Sequence, residues 1–232
     1  MSLERLRSFC PFLGGSGRAA VPRLPSARYR PRCAVLIAVM ACERVGGMST
    51  DSSGSQATVS SIWTRDVGPA LRSEIVRLCV AAHREQDFEN LFTYLPGDGL
   101  HVLAADAEQV VGHAVVTTRW LQPGTLPPLR TAYVDAVATS PGHQGRGIGT
   151  AVMRYLADAV ADFDLACLEA DRPGFYERLG WQEWRGPLGG RSEQGLIATP
   201  DQAGIMILRL PATPRLDPSE QLTIEATDVR IW

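Results

Sequence analysis

The stretch from Tyr133 to Met153 constrains the fold of this chain more than any other. It runs Tyr133-Val134-Asp135-Ala136-Val137-Ala138-Thr139, bridges through Ser140-Pro141-Gly142-His143, and continues Gln144-Gly145-Arg146-Gly147-Ile148-Gly149-Thr150-Ala151-Val152-Met153. An apolar strand here passes through a glycine-rich turn directly into an amphipathic helix. Gly145, Gly147 and Gly149 leave backbone N–H groups unobstructed where a helix begins with four unpaired donors. The helix dipole favours an anion at the same place, so the turn suits a pyrophosphate, and Arg146 adds a charge nearby. A P-loop is excluded because no Gly-Lys-Ser/Thr follows, and a dinucleotide-binding turn because no Gly-x-Gly-x-x-Gly leads to an acidic strand end.

Around that centre the chain reads as strands and helices in a mixed order. Ala57 to Trp63 suits a first strand, and Pro69 to His83 a helix with Leu71, Ile75, Val76, Leu78 and Cys79 on one face. Glu85 to Tyr94 reads as a second short helix. Leu100 to Ala105 and Gln109 to Thr118 form a hairpin through Asp106-Ala107-Glu108. Thr131 to Thr139 is a strand, Gly145 to Val160 a helix, Phe163 to Glu169 a strand and Pro173 to Leu179 a short helix stopped by Gly180. Trp181 to Arg185 and Ile205 to Leu210 complete the sheet. Helices alternate with strands in the middle while both ends are mainly strand. The pattern predicts an α/β fold of the mixed (α+β) kind in a single domain, not a pure doubly wound sheet.

The N-terminal stretch does not match the rest. Up to about Gly47 it carries eight arginines against Glu4 and Glu43, a net of +6; with −2 overall, the remainder is left at −8. Three readings compete for it: translated upstream sequence or disorder, with Met48 opening an ordinary N-terminus; a targeting segment, since Val39-Met40-Ala41-Cys42 faintly resembles a lipoprotein cleavage box; or a basic binding arm. Residues 1–56 are expected to be a disordered or mis-started extension, and 57–232 the folded domain. Of the five cysteines, Cys10, Cys33 and Cys42 fall in the extension, while Cys79 and Cys167 sit in apolar runs and read as core residues. No Cys-x-x-Cys pair occurs, and a reduced, cytoplasmic protein is expected. No later segment approaches the roughly 20 apolar residues of a membrane span. The overall charge gives no reason to expect nucleic acid, so neither nucleic acid nor membrane is an expected partner. Every basic residue is arginine, which removes lysine as a catalytic group. His83, His101, His113 and His143 show no ligand spacing and read as structural or surface residues, so no metal is expected.

The Gln144-x-x-Gly147-x-Gly149 turn after an apolar strand resembles the acetyl-CoA loop of the GNAT superfamily of N-acetyltransferases. Pro173-Gly174-Phe175-Tyr176-Glu177-Arg178-Leu179-Gly180-Trp181 resembles that superfamily's second signature. The resemblance implies the GNAT fold, in which the central strand splays from its neighbour and pairs with the pantetheine arm. Acetyl-CoA is thereby implied as co-substrate, with Val137, Ala138 and Thr139 along the arm and Gln144, Gly145, Arg146, Gly147, Ile148, Gly149 and Thr150 around the pyrophosphate. Tyr176 becomes the expected general acid beside the coenzyme sulfur, against the plainer reading of a core tyrosine. Asp135 becomes the expected general base, working through one water because Asp is shorter than Glu; its plainer reading is a solvated strand-end carboxylate.

Gly180-Trp181-x-x-Trp184-x-Gly186-Pro187, Thr199-Pro200-Asp201, Leu216-Asp217 and the terminal Asp228-Val229-x-x-Trp232 add a narrower likeness. They resemble the aminoglycoside 2'-N-acetyltransferases, although Arg230 and Ile231 interrupt the family's chain end. By that resemblance Asp87, Glu89, Asp135 and Trp232 contact the acceptor, a small-molecule amine. A net of −8 outside the extension also suits a polycation. Aminoglycosides with a 2'-amine are the expected acceptors, with kasugamycin-like ones among the candidates. Another small amine, a peptide N-terminus, or a non-catalytic acetyl-CoA sensor are the alternatives. Superfamily members are often dimers, and a homodimer paired through C-terminal strands is compatible with this chain.

Overall fold

A computed structural model describes residues 57–227 and 231–232. The N-terminal extension with its three cysteines and lipoprotein-like box, and the Asp228-Val229-Arg230 part of the chain end, lie outside the described residues.

The chain begins with β1 (Thr58–Trp63) and then α1 (Pro69–His83). Proline at the first helical position starts α1, and Arg84, at φ 60°, ends it by returning its N–H to the Val80 carbonyl at 2.8 Å. Because Arg84 leaves the helical path, the predicted second helix starts late. Gln86–Asn90 is a short 3-10 turn and only Leu91–Tyr94 (α2) is α-helical. β2 (Leu100–Asp106) and β3 (Gln109–Pro123) form the predicted hairpin. Ala107 and Glu108 both take positive φ, as a two-residue hairpin turn demands. β4 (Leu129–Thr139) leads into α3 (Ile148–Ala159), followed by β5 (Leu165–Glu169) and α4 (Pro173–Glu177).

The C-terminal third is richer in strand than its sequence indicates. β6 (Gln182–Glu183) is shorter than the predicted Trp181–Arg185, because the Arg185 and Gly186 N–H groups turn away to the Pro218 carbonyl. β7 (Leu188–Ser192), β8 (Gly195–Ala198) and β10 (Leu222–Glu225) surround the expected β9 (Ile205–Arg209). The described strands make one mixed sheet, ordered β6-β9-β5-β4-β3-β10-β7-β8, with β2 also on β3 and β1 on β2. β3 is long enough to hold two partners on one edge, β2 along its first half and β10 against Leu121–Pro123.

Two features of β4 shape the centre of this sheet. Its parallel pairing with β5 runs only from Thr131↔Leu165 to Val134↔Leu168, yet β4 continues, paired to β3, as far as Thr139↔Gly112. The two strands therefore part after Val134. The β3–β4 register also slips between Val115↔Asp135 and His113↔Ala138, which sets Ala136 and Val137 opposite the single residue Ala114. This is a β-bulge, and Ala136 sits in it at φ 49°, a left-handed conformation costing an alanine roughly 1–2 kcal/mol.

Both sheet faces are covered. On one, α3 buries Ile148, Val152, Met153 and Leu156 against Ala114, Val116, Ala132, Val134, Ala166 and Leu168. Each such side chain contributes about 1.5–3 kcal/mol on leaving water. On the other, α1 packs Ile75, Leu78 and Cys79 over Val115, Ala136 and Ala138, and further along Trp184, Leu216 and Trp232 cover Tyr133, Cys167 and Ile207.

Candidate active site

The glycine-rich turn lies where β4 has separated from β5. Pro141–His143 forms one 3-10 turn, and Gly145 and Gly147 follow with φ of 77° and 80°. A Cβ at either would meet nothing within 4 Å, so it is left-handed backbone, not crowding, that requires glycine here. Gly147 is the N-cap of α3 and no side chain caps the helix, which leaves its first N–H groups to a ligand. Gln144, Gly145, Arg146 and Gly147 are exposed, Gly149 and Thr150 half-buried, and Ile148 is turned into the core. Gln144 reaches back with its amide to the Thr139 carbonyl at 3.3 Å. A Cβ at Gly149 would stand 3.3 Å from both Phe175 and Thr139 Oγ1. The start of α3, the end of β4 and α4 therefore converge at one point. Val137 and Thr139 are half-buried along the parted side of β4, with Ala138 buried between them.

Tyr176 belongs to this same face. Its ring packs with Val137 against the α3-side core and stands edge-on to Phe175 and Trp181. Burial, with the negative charge of Asp171 adding to it, pushes its hydroxyl up to about 12. The phenol thus holds its proton at neutral pH, as a group that donates to a leaving thiolate must.

Asp135 faces the other way. It lies two residues from Tyr133 on the same strand and therefore shares its face, the one covered by α1 and the C-terminal segment. Its Oδ1 accepts the Ala136 N–H at 2.9 Å. Its charge also adds to the burial that pushes the Cys79 thiol up to about 12. Asp87 and Glu89 are exposed on the 3-10 turn after α1, and Phe88 between them packs into the core cluster of Ala136 and Ala138. That contact holds the acidic turn over the Asp135 face.

Trp232 arrives on this face from the far end of the chain. Only 6% exposed, it packs with Tyr133 and Trp184 and donates its indole N–H to Thr199 Oγ1 at 3.1 Å. The indole is thus a core group. Arg119 fixes this tail: it pairs with Glu225 at 2.6 Å and donates to the Ile231 carbonyl at 2.8 Å.

Read from the sequence as structural or surface residues, the four histidines include two that form a buried chain behind the site. His113 and His101 are both fully buried. His113 Nδ1 lies 2.8 Å from the Ala136 carbonyl, His113 Nε2 2.9 Å from His101 Nδ1, and His101 Nε2 3.1 Å from Thr64 Oγ1. Burial, with each other's and Arg72's charge, pushes His101 down to about 3. Burial also takes His113 to about 4, against the opposing pull of the Ala136 carbonyl. The available signal was two histidines inside the apolar runs of one predicted hairpin, where a diagonal pair can touch across strands. Among the described residues, no group of three or more His, Cys, Asp or Glu is arranged to hold a metal ion, and no helix is long and apolar enough to cross a membrane.

A parted central strand, a bulge, and a bare helix N-terminus beside a glycine turn define an acyl-group-transfer fold, and similarity to known proteins agrees. Residues 69–181 match the Acetyltransferase (GNAT) family. The aminoglycoside 2'-N-acetyltransferase of Mycolicibacterium fortuitum is 30% identical over 182 residues, which cover 75% of this chain and 92% of that protein. The chain belongs to the GNAT acetyltransferases, and it is an N-acetyltransferase. Among solved structures, the Escherichia coli GNAT family N-acetyltransferase YhbS, in complex with CoA, shares the fold at 14% identity. Its TM-score is 0.51, over 69% of this chain and 85% of that one. Eis1 from Mycobacterium abscessus is a longer protein, of which this chain spans 31%, at 21% identity and a TM-score of 0.46.

Proposed function

We propose that residues 57–232 transfer the acetyl group of acetyl-CoA to a primary amine of a small cationic acceptor, of which an aminoglycoside 2'-amine is the leading candidate. The observation that carries this reading is the division of the site by the sheet. Asp135 stands on the α1 face, Val137 and Tyr176 on the α3 face, and β4 and β5 part beside them. A thioester laid along the parted strand from the α3 side meets an amine entering from the α1 side.

The chemistry follows from those positions. Asp135 takes the ammonium proton through one water. The freed nitrogen attacks the thioester carbon, and the Val137 N–H stabilises the oxygen as it becomes an oxyanion. The carbon–sulfur bond then breaks, the thiolate takes the Tyr176 proton, and the second proton of the attacking nitrogen returns to the phenolate through solvent, leaving amide, CoA and a neutral Tyr176. The unpaired N–H groups at Gly147 to Gly149 and the Arg146 guanidinium serve the pyrophosphate. Asp87 and Glu89 on their exposed turn, with Asp135, give a polycation carboxylates to meet. The named activity of the Mycolicibacterium fortuitum relative supports that acceptor class.

The test is CoA release from acetyl-CoA with a panel of aminoglycosides (kasugamycin included), polyamines and short peptides, using a chain begun at Met48. Turnover confined to aminoglycosides carrying a 2'-amine supports the full reading. Turnover only with other amines discards the acceptor and keeps the transferase. Coenzyme binding without turnover on any amine points to a sensor.

A further inference from the structure

We propose that His113, held in turn by His101 and Thr64, is a positioning residue that aims the Val137 N–H into the opening between β4 and β5. The inference rests on the reading above, in which that N–H polarises the thioester. It begins from the Ala136–Val137 peptide in the bulge. A trans peptide points its carbonyl and its N–H in opposite directions. His113 lies on β3, on the α1 side, and takes the Ala136 carbonyl at 2.8 Å. The Val137 N–H is therefore directed away from β3, to the side where the β4–β5 ladder has already ended at Val134 and Leu168.

The bulge needs such an anchor. Ala136 is a residue with a Cβ at φ 49°, and without a fixed carbonyl partner the strand relaxes toward ordinary extended backbone. The anchor is directional because the chain of hydrogen bonds fixes every tautomer. A carbonyl only accepts, so His113 carries its proton on Nδ1 and its Nε2 accepts from His101 Nδ1. At the far end His101 Nε2 lies 3.1 Å from Thr64 Oγ1, whose one hydroxyl proton is shared between that nitrogen and the Gly99 carbonyl, also at 3.1 Å. The surroundings keep both rings neutral: Arg72, Cys79 and His83 approach from α1, and Phe92 stacks on His101 at 5.3 Å. Asp135 bears the negative charge nearest the bulge, and it is engaged by the Ala136 N–H. His113 touches neither substrate nor coenzyme in this arrangement and acts through Val137.

The test compares His113→Phe, which keeps ring volume and removes the donor, with His113→Asn, whose amide nitrogen can stand where Nδ1 stands. In the phenylalanine variant kcat is expected to fall about tenfold to a hundredfold, the lower part of the range for a lost oxyanion donor. The KM for acetyl-CoA should stay close to wild type, and His113→Asn should recover most of the rate. A second readout needs no turnover. With acetyl-CoA labelled 13C at the thioester carbonyl, the infrared stretch is lowered on binding to wild type, less so in His113→Phe, and again fully in His113→Asn. In an Ala136→Gly background the loss from His113→Phe should shrink, because glycine holds the bulge at positive φ unaided. Should His113→Phe fail to fold, His101→Phe keeps His113 but frees its tautomer, and the same infrared shift is read there.

Equal lowering of the stretch in wild type and His113→Phe overturns the positioning role and leaves the Val137 donor standing. No lowering in wild type overturns the donor itself, and the positioning role with it. A kcat loss that Asn does not recover, accompanied by an equal loss of thermal stability, reduces His113 to a packing residue and overturns the proposal.

Discussion

The two faces of the sheet at β4 are built by different means. The α3 face is made from backbone: left-handed glycines, an uncapped helix start and a strand edge, supplied mainly by residues 137–150. The α1 face is made from side chains brought from the whole length of the chain. Asp87 and Glu89 come from the first third of the folded domain, Asp135 from its middle, and Arg119, Glu225 and Trp232 close its far end. A backbone site recognises what all acetyl-CoA users share, a pyrophosphate and a thioester, and tolerates little variation. A side-chain site can be rewritten piece by piece, and this is the face expected to choose the amine.

Removing the proposed base is the hardest blow to that division of labour. Asp135→Asn is expected to lower kcat/KM by about 10²–10⁴-fold at neutral pH, the usual range for a positioned general base. Coenzyme affinity, measured by calorimetry, should not move, because the carboxylate is on the opposite face. If the substitution weakens coenzyme binding as much as turnover, the two faces are not separate.

Acid exposes a second asymmetry, because the buried histidines sit on the α1 face alone. Their folded pKa values, about 3 and about 4, lie below the ordinary 6.5 of an unfolded histidine. Below pH 6.5 the unfolded chain therefore binds protons that the native chain refuses. Stability is full above that pH and is lost as pH falls toward 4, by about 1.4 kcal/mol per pH unit for each histidine. Urea melts from pH 7 to 4.5 measure this slope, and replacing both histidines with Asn should flatten it.

This asymmetry also explains what the sequence revealed. The glycine turn, β4, α3 and the Tyr176 segment were legible because each is a local pattern: alternation, helical spacing, or glycine at a strand–helix junction. The splay of β4 from β5 came only with the family resemblance, since no local pattern encodes where a ladder stops. The histidine chain was missed because its links join residues 12 to 37 positions apart. β7, β8 and β10 were missed for a related reason. Leu188-Gly189-Gly190-Arg191-Ser192 has no apolar alternation, and it becomes strand only because β10 and β8 flank it.

Gly147→Ala sharpens the comparison from the backbone side. At φ 80° an alanine is strained by roughly 1–2 kcal/mol, and the helix start proposed to hold the pyrophosphate must shift. Since 1.4 kcal/mol corresponds to a factor of ten, the KM for acetyl-CoA should rise about tenfold. The KM for the amine should stay unchanged in the same assay.

The smallest expected effect tests the side-chain face. Asp87 and Glu89 are exposed, so water and salt screen whatever attraction they exert on a cation. Asp87→Asn and Glu89→Gln should each raise the amine KM by only about two- to fivefold, the scale of an exposed ion pair. The direction of the salt response matters more than the size. Raising ionic strength should weaken amine binding to wild type and close most of the gap to the double variant, while the KM of an uncharged acceptor analogue stays flat in both proteins. A gap that persists at high salt, where the Debye length is only about 3 Å, would mean that these residues act by shape or hydrogen bonding instead. The acidic turn would then choose the amine by contact and not by charge, and the net of −8 outside the N-terminal stretch would cease to bear on the substrate at all.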